Sequence, residues 1–489
     1  MQIDNILIKT SNGNSYYFDE HYNQVLFIHP QLAEIIKSNI SANSPKKNKN
    51  ENEYYLKKYK FLKQHNYFSE NETSGYKNAF LKEEHIDYLL ANLDNIVFEV
   101  TEKCNLACKY CAYGNLYVSS LHREQRDLQY ENIVTLISHL KNYWESHLNQ
   151  SYNRVIDVGF YGGEPLINFQ LIKKVVEYTK QIENDLYRFS YHLTSNGLLL
   201  NKHIDYLIEN NFHLGISLDG DADNNSFRVF KNGKESFKRV FTNLKFVQEK
   251  DPDFFNSNIN LLAVLHSKNN ISSVYDFFLK HFNKTPRIGE VNSYGILENE
   301  RDNFEKIYIN YYQVLKEDTN SQSYQKIYYY DFPSGQLLTN FVEKYSGYVI
   351  NNYVDPLIRP IKNEIPTGTC LPFQRKLYLN AHGEIFPCER ISRNYKLGYV
   401  YNGGVKLDTK EIADLYNAFF KIANKKCRNC YTSKLCGMCI FYLNPDMGSI
   451  KCKDFMGTNK IKKLVSSLIN TVEDSPNRYT EIMSKIYFR

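Results

Sequence analysis

Residues 96–111 read Ile96-Val97-Phe98-Glu99-Val100-Thr101-Glu102-Lys103-Cys104-Asn105-Leu106-Ala107-Cys108-Lys109-Tyr110-Cys111. The run 96–101 is short, apolar and β-branched, as a buried strand requires, and it passes directly into three cysteines spaced CxxxCxxC. Three thiols in one loop can converge on one 4Fe-4S cube and leave one iron without a protein ligand, open to a small molecule. Three neighbouring cysteines with a distant fourth ligand would also suit zinc. The position of the loop, at the carboxyl end of the strand that opens a βα unit, favours the iron–sulfur reading, because such folds carry their chemistry there.

Outward from this stretch the rhythm is strand then helix. Apolar strands are expected at 96–101, 155–161, 189–193, 212–218 and 259–265. Helical spacing recurs between them in Ile133, Val134, Ile137, Leu140, Tyr143, Trp144, then Leu171, Ile172, Val175, Val176, then Phe237, Val240, Phe241, Leu244. Such alternation implies parallel βα units, in an open sheet or in all or part of a barrel. Before it, residues 1–90 suggest a hairpin about the turn Ser11-Asn12-Gly13-Asn14, with Ile6 and Ile8 on one side, Tyr16 and Phe18 on the other, and Val25 and Phe27 beyond. Helices are expected at 31–38, behind Pro30, and at 51–64, with the polar stretch 44–50 as a loop. Beyond about residue 340 the periodicity fades and seven of the ten cysteines fall between Cys370 and Cys452, so metal ligation is expected to supply the order there. Three units follow: 1–90, 91–340 and 341–489.

Composition excludes other classes. Lys+Arg 60 against Asp+Glu 54 gives +6, a weak bias over 489 residues and no nucleic-acid signature. Aromatic residues make up 15% of the chain, enough apolar area for a sizeable core. Asp4 lies near the start, no apolar signal segment follows, and no apolar run approaches 18 residues, so a cytoplasmic protein without membrane contact is expected. In a reducing compartment ten cysteines point to metal or redox chemistry rather than disulfides.

With Tyr110 before the third cysteine, the loop resembles the cluster motif of the radical S-adenosylmethionine (SAM) superfamily. Tyr161-Gly162-Gly163-Glu164-Pro165 resembles that family's GGEP motif, which lies near the methionyl amino group. Thr194-Ser195-Asn196-Gly197 and Ser217-Leu218-Asp219-Gly220 end the next two strands. The resemblance spans about 94–285 and implies an α/β fold with a partial (β/α)6 barrel. It implies SAM contacts from Tyr110, Gly162, Gly163, Glu164, Ser217 and Arg228, the last followed by Lys231-Asn232-Gly233-Lys234, which is similar to peptide-modifying members. It also implies a cluster held by Cys104, Cys108 and Cys111. The chemistry implied is reductive cleavage of SAM to methionine and a 5′-deoxyadenosyl radical that takes hydrogen from a substrate.

Cys370, Gly383 and Cys388, then Cys427-x2-Cys430-x5-Cys436-x2-Cys439 and Cys452, resemble the SPASM extension, with two auxiliary 4Fe-4S clusters. In isolation the run 427–439 would also suit a zinc ribbon. Two residues rather than the family's three precede Cys439, which puts the loop geometry in question. By analogy Cys427, Cys430, Cys436 and Cys452 would hold the distal cluster, and Cys370, Cys388 and Cys439 the nearer one, with an open iron. Glu389 stands where sulfatase-maturing relatives place a catalytic aspartate, as a base or as an exposed structural residue. His192, His266 and His382 show no partner pattern and read as ordinary structure.

The amino-terminal unit resembles the winged-helix-like α+β element that recognises leader peptides, in which a peptide adds a strand to an open sheet edge; DNA binding and simple packing are the rival readings. The function so implied is a peptide maturase that crosslinks a ribosomally made precursor, above all by a Cys thioether. Its partners would be the leader-bearing precursor and an electron donor such as flavodoxin or ferredoxin. The alternatives are a formylglycine-forming sulfatase-type maturase, carbon–carbon or carbon–oxygen crosslinking, and a non-enzymatic iron–sulfur or zinc protein.

Overall fold

In the amino-terminal segment, Ile6–Lys9 (β1) and Ser15–Asp19 (β2) pair antiparallel, Ile6 opposite Phe18 and Ile8 opposite Tyr16. The turn between them closes through Gly13 N–H to Thr10 O at 3.1 Å, with Gly13 at φ +83°, where a side chain would strain the backbone. Gln24–Ile28 (β3) pairs with β2, giving the order β1-β2-β3. Because strand side chains alternate, the sheet buries two faces. Tyr17 and Ile28 pack with Leu32 and Ile36 of the helix Pro30–Ile40 and with Tyr59 of the helix Lys49–Gln64. Ile6, Ile8 and Phe18 pack with Leu338, Phe341 and Val342 of Pro333–Tyr345 and with Ile461 and Val465 of Thr458–Asp474.

This computed structural model describes residues 6–19, 24–40, 49–65, 67–68, 81–118, 123–345, 370–427, 429–432, 436, 438–443, 450, 452 and 455–484. Of the expected loop 44–50, residues 44–48 lie outside them, and Lys49 and Asn50 belong to the second helix. The chain divides into two compact units, Met1–Leu81 with Tyr329–Thr369 and Leu415–Arg489, and Lys82–Tyr328 with Cys370–Asp414.

The second unit is built on six parallel strands, Asn95–Thr101 (β4), Arg154–Gly162 (β5), Tyr187–Ser195 (β6), His213–Ser217 (β7), Ile259–Leu265 (β8) and Arg287–Glu290 (β9). Each pairs with its neighbour in sequence. The helices Tyr130–Trp144, Phe169–Gln181, Leu200–Glu209, Phe237–Lys250 and Ile271–Phe282 occupy the crossovers. In the first, Ile133, Leu136, Ile137, Leu140 and Trp144 recur at helical spacing and are fully buried. Each such side chain contributes about 1.5–3 kcal/mol on leaving water.

The weak periodicity read beyond residue 340 understates the order there. Leu377–Leu379 (β10) pairs parallel with β4, and Glu384–Phe386 (β11), Gly398–Tyr401 (β12) and Gly404–Lys406 (β13) extend the same sheet antiparallel. The sheet order is β13-β12-β11-β10-β4-β5-β6-β7-β8-β9. Helices also run over Thr409–Cys427 and Thr458–Asp474. Strands of three or four residues are too short to show a period of two. Among the described residues, no helix is long and apolar enough to cross a membrane.

Candidate active site at the strand ends

The cysteine loop follows β4 and is braced by main-chain bonds to residues that return after β7. Ala107 N–H donates to Val229 O at 2.8 Å and Lys109 N–H to Phe227 O at 3.0 Å, so the main chain is pinned on both sides of Cys108 and of Arg228. Cys111 N–H donates to Cys108 O at 3.1 Å and Gly114 N–H to Cys111 O at 2.7 Å, which coils the third thiol back towards the second. Leu106 N–H lies 3.4 Å from Cys104 Sγ, and Asn196 Nδ2 donates to Asn105 Oδ1 at 2.8 Å. All three thiols are part-buried and free of disulfides. Burial and the neighbouring thiols push Cys108 up to about 12, and burial raises Cys104 as well. Positive iron at the loop would reverse both costs, because coordination holds a thiol deprotonated.

The glycines at the end of β5 serve the chain itself. A Cβ at Gly162 would lie 2.1 Å from Thr101 O, and one at Gly163 would lie 2.2 Å from Lys103 O. This clearance lets Gly163 N–H and Glu164 N–H donate to Thr101 O and Lys103 O at 2.9 and 2.8 Å, clamping the root of the cysteine loop. Glu164 is fully buried and accepts from Ser195 Oγ at 2.8 Å, Asn196 N–H at 2.7 Å and Leu166 N–H at 3.2 Å. Burial outweighs these donors and raises its carboxyl to about 7.

Ser217 ends β7, half-buried, and two residues later Asp219 is wholly buried. Its carboxylate accepts from the Tyr110 hydroxyl, from Arg228 Nε at 3.2 Å and from Val264 N–H of β8 at 2.9 Å; His266 Nε2 lies 3.6 Å away. Burial opposes its charge, but Arg228, then His266 and Tyr110, hold the carboxyl below its usual value. Arg228 also lies over the Tyr110 ring, and His266 stacks on the same ring at 5.4 Å. Tyr110 and Arg228, expected to serve a ligand, are thus brought together by Asp219 and His266. In sequence Asp219 is one residue of a strand-end motif with no sign of this role, and His266 has partners that its sequence context does not show.

His382 likewise has a partner. Glu102, inside the cysteine loop, receives His382 Nε2 at 3.1 Å, Arg393 at 2.7 Å and the N–H groups of Glu124 and Arg126 at 2.8 and 3.1 Å. Burial resists its charge, yet the two main-chain N–H groups, then Arg393 and Arg123, bring the carboxyl down to about 2. Glu99 is paired with Arg123 at 2.9 Å and accepts from Ala381 N–H. Glu389 is not an exposed glutamate: its side chain is 13% exposed and pairs with Lys376 at 3.2 Å and with Arg390 at 3.6 Å. Its charge reaches Tyr161 and Tyr113, whose phenols burial raises first and Glu389 raises further.

Cys370 is exposed and Cys388 part-buried in this second unit. In the other unit, Cys427 is pushed up to about 12 by burial and then by Cys430, Cys436 and Cys452, so these four thiols are electrostatic neighbours. Met456 N–H donates to Cys430 Sγ at 3.4 Å, and Cys427 and Cys452 pack with Ala423, Leu443 and Ile450. Among the described residues no three His, Cys, Asp or Glu side chains gather as ligands of one metal ion. A cube asks for something else, thiolates around a body of several irons rather than at one point, and three free, mutually coupled thiols on one braced loop suit that demand.

Residues 98–277 match the family model of the Radical SAM superfamily. The radical SAM cyclopropyl synthase TigE of Paramaledivibacter caminithermalis is 24% identical over 381 residues, 76% of this chain and 72% of its own. The cysteine-type anaerobic sulfatase-maturating enzyme of Clostridium novyi is 22% identical over 374 residues, 71% of this chain and 87% of its own. In fold, the chain resembles the solved structure of anSMEcpe with bound AdoMet and Kp18Cys peptide, with a TM-score of 0.52 and 17% identity over 79% of this chain and 99% of that one. A matched domain that begins inside β4, carries the three-cysteine loop and ends beyond β8, together with these enzyme relatives, makes the chain a radical SAM enzyme, homologous to the anaerobic sulfatase maturases and to a radical SAM cyclopropyl synthase.

Proposed function

We propose that the protein matures a ribosomally made precursor peptide, joining a cysteine sulfur to a peptide carbon as a thioether. The observation that carries this reading is the small sheet of residues 1–90: β3 ends it among the described residues, and Phe27 on that strand is 67% exposed. An open strand edge with an apolar side chain beside it suits an extended leader, which gains main-chain hydrogen bonds there and a pocket contact. Residues 91–340 would carry the radical chemistry and 341–489 the SPASM extension.

Cys104, Cys108 and Cys111 would hold the cluster that binds SAM, with Tyr110, Gly162, Gly163, Glu164, Ser217 and Arg228 around the ligand. When bound and reduced, this pair of cofactors supplies a 5′-deoxyadenosyl radical. The electrostatic neighbourhood of Cys427, Cys430, Cys436 and Cys452 supports their assignment to a distal auxiliary cluster. Cys370, Cys388 and Cys439 would hold a nearer one with an open iron for the substrate thiolate. A flavodoxin or ferredoxin would deliver the electron. Glu389 favours a second reading: a part-buried, lysine-paired carboxylate next to Cys388 could take a proton in a sulfatase-type oxidation of Cys or Ser to formylglycine.

The test is anaerobic coexpression with short peptides encoded beside the gene, followed by mass spectrometry and thiol counting. Loss of two hydrogens per site with thiols consumed in step establishes the thioether; the same loss with thiols retained means another crosslink. Conversion only of a sulfatase-derived Cys or Ser peptide to an aldehyde means the second reading. Replacing Cys104, Cys108 and Cys111 with alanine should reduce deoxyadenosine formation by at least about a thousandfold, to the uncatalysed background.

A further inference from the structure

We propose that Asp219 is the positioning residue of the SAM site: it locks the aromatic residue of the cysteine loop and Arg228 into one rigid platform without itself touching the ligand. The inference rests on the radical SAM reading and on the proposed SAM contacts of Tyr110 and Arg228.

The geometry leaves Asp219 little other purpose. Its backbone is fixed by Asn225, whose Oδ1 accepts Asp219 N–H at 3.1 Å, and one carboxylate oxygen is anchored to β8 through Val264 N–H at 2.9 Å. The other oxygen takes both the Tyr110 hydroxyl and Arg228 Nε. A wholly buried carboxylate is costly unless its charge is balanced and its lone pairs are filled, and here one charged and two neutral donors do both. Tyr110 sits between Cys108 and Cys111, so its orientation is coupled to the cluster loop. Arg228 sits between the two main-chain bonds that hold that loop, Phe227 O to Lys109 N–H and Val229 O to Ala107 N–H. Immediately after Asp219 the chain turns at Gly220, φ +128°, where a Cβ would meet the Asn224 side chain at 2.7 Å; this bend returns Arg228 to the loop. His266 completes the packing, stacked on Tyr110 and 4.6 Å from Phe227 between ring centres. A ligand that meets Tyr110 and Arg228 therefore meets groups whose rotamers are already set, and their ordering is not charged against its binding.

The experiment uses the full chain with its clusters reconstituted anaerobically, comparing wild type with Asp219→Asn and Tyr110→Phe. Iron and sulfide per chain are measured first, then SAM affinity by equilibrium filtration. The reduced-cluster EPR spectrum is recorded with and without SAM, and deoxyadenosine formation is resolved into KM and kcat. The expected result is unchanged iron loading, at least a tenfold weaker SAM affinity in Asp219→Asn with a matching rise in KM, and a smaller loss in Tyr110→Phe. The SAM-induced EPR change should return at higher SAM, and kcat should fall less than KM rises. Affinity and KM unchanged in both variants would overturn the inference, as would loss of iron in Tyr110→Phe, which removes one hydroxyl and keeps the ring. If Asp219→Asn fails to fold because Arg228 is left uncompensated, Tyr110→Phe decides alone. A wild-type protein that binds no SAM and shows no EPR change overturns the SAM reading itself, which is a different failure.

Discussion

Glu102 and Glu164 follow the ends of two neighbouring strands, β4 and β5, both sealed from solvent, and their charges are held in opposite ways. The main-chain N–H groups of Arg126 and Glu124, then Arg393 and Arg123, bring the Glu102 carboxyl to about 2 in spite of burial. Glu164 meets Ser195, Asn196 and Leu166, all neutral donors, and burial carries it to about 7. Arg228 lowers it only as the smallest of these influences. One carboxylate is a finished structural clamp between the cysteine loop and the segment 382–393. The other has neutral donors for its lone pairs and, among the described residues, no cation hydrogen-bonded to it, so burial decides its charge.

The largest effect should come from Gly163→Ala, which drives a Cβ to 2.2 Å from Lys103 O and so parts the Glu164 side from the loop root. Deoxyadenosine formation should fall at least about a hundredfold, with stability lowered by about 2–4 kcal/mol on thermal unfolding. Activity near wild type would mean that the two segments can separate without harm, and the comparison would lose its geometric basis.

Arg393→Ala tests the other side. It strips a buried carboxylate of its shortest side-chain partner and should cost about 3 kcal/mol. The sign with pH is set by the lowered carboxyl: ionised Glu102 stabilises the fold above its usual 4.5, and that contribution is lost as pH falls towards 2. In Arg393→Ala the loss should begin at higher pH, read as an upward shift of the acid-unfolding midpoint; an unmoved midpoint would show the clamp to be idle.

The smallest effect is the one that sharpens the contrast. With Glu164 raised from 4.5 to about 7, the folded chain binds the extra proton between those values, so its contribution favours folding at low pH and fades as pH rises through about 7. Glu164→Gln should flatten this slope, measured as denaturant midpoints between pH 5 and 8 in protein without SAM. A slope that persists belongs to another group.

Much of the second unit could be read from sequence because its strands carry apolar residues in runs or in alternation: 259–265 was expected where β8 lies, and β4 begins one residue before its expected start. The helices Leu200–Glu209 and Ile271–Phe282 were missed although Ile204 and Leu207, and Val274, Phe277 and Phe278, carry the helical period. The same holds for Ile412, Tyr416, Phe420 and Ala423 in Thr409–Cys427, which the prominence of the cysteines obscured. At the site, the cysteines were legible because their spacing is short-range. The partnerships Asp219–Tyr110, Glu102–Arg393 and Glu102–His382 were not, because they join residues more than a hundred positions apart and no local pattern records them.

The pairing of β4 has a consequence for synthesis. Its two neighbours reach it from very different points in the chain, β5 from Arg154–Gly162 and β10 only from Leu377–Leu379. At about 5–20 residues per second, a ribosome needs roughly 15–60 s between making Ile96 and making its partner Leu377. For that interval the strand that carries the cysteine loop has one bare, apolar edge, open to any passing extended chain. Slowing translation between β9 and β10, or depleting the holdase chaperones of the host, should therefore lower the soluble yield more than the same change placed after β13.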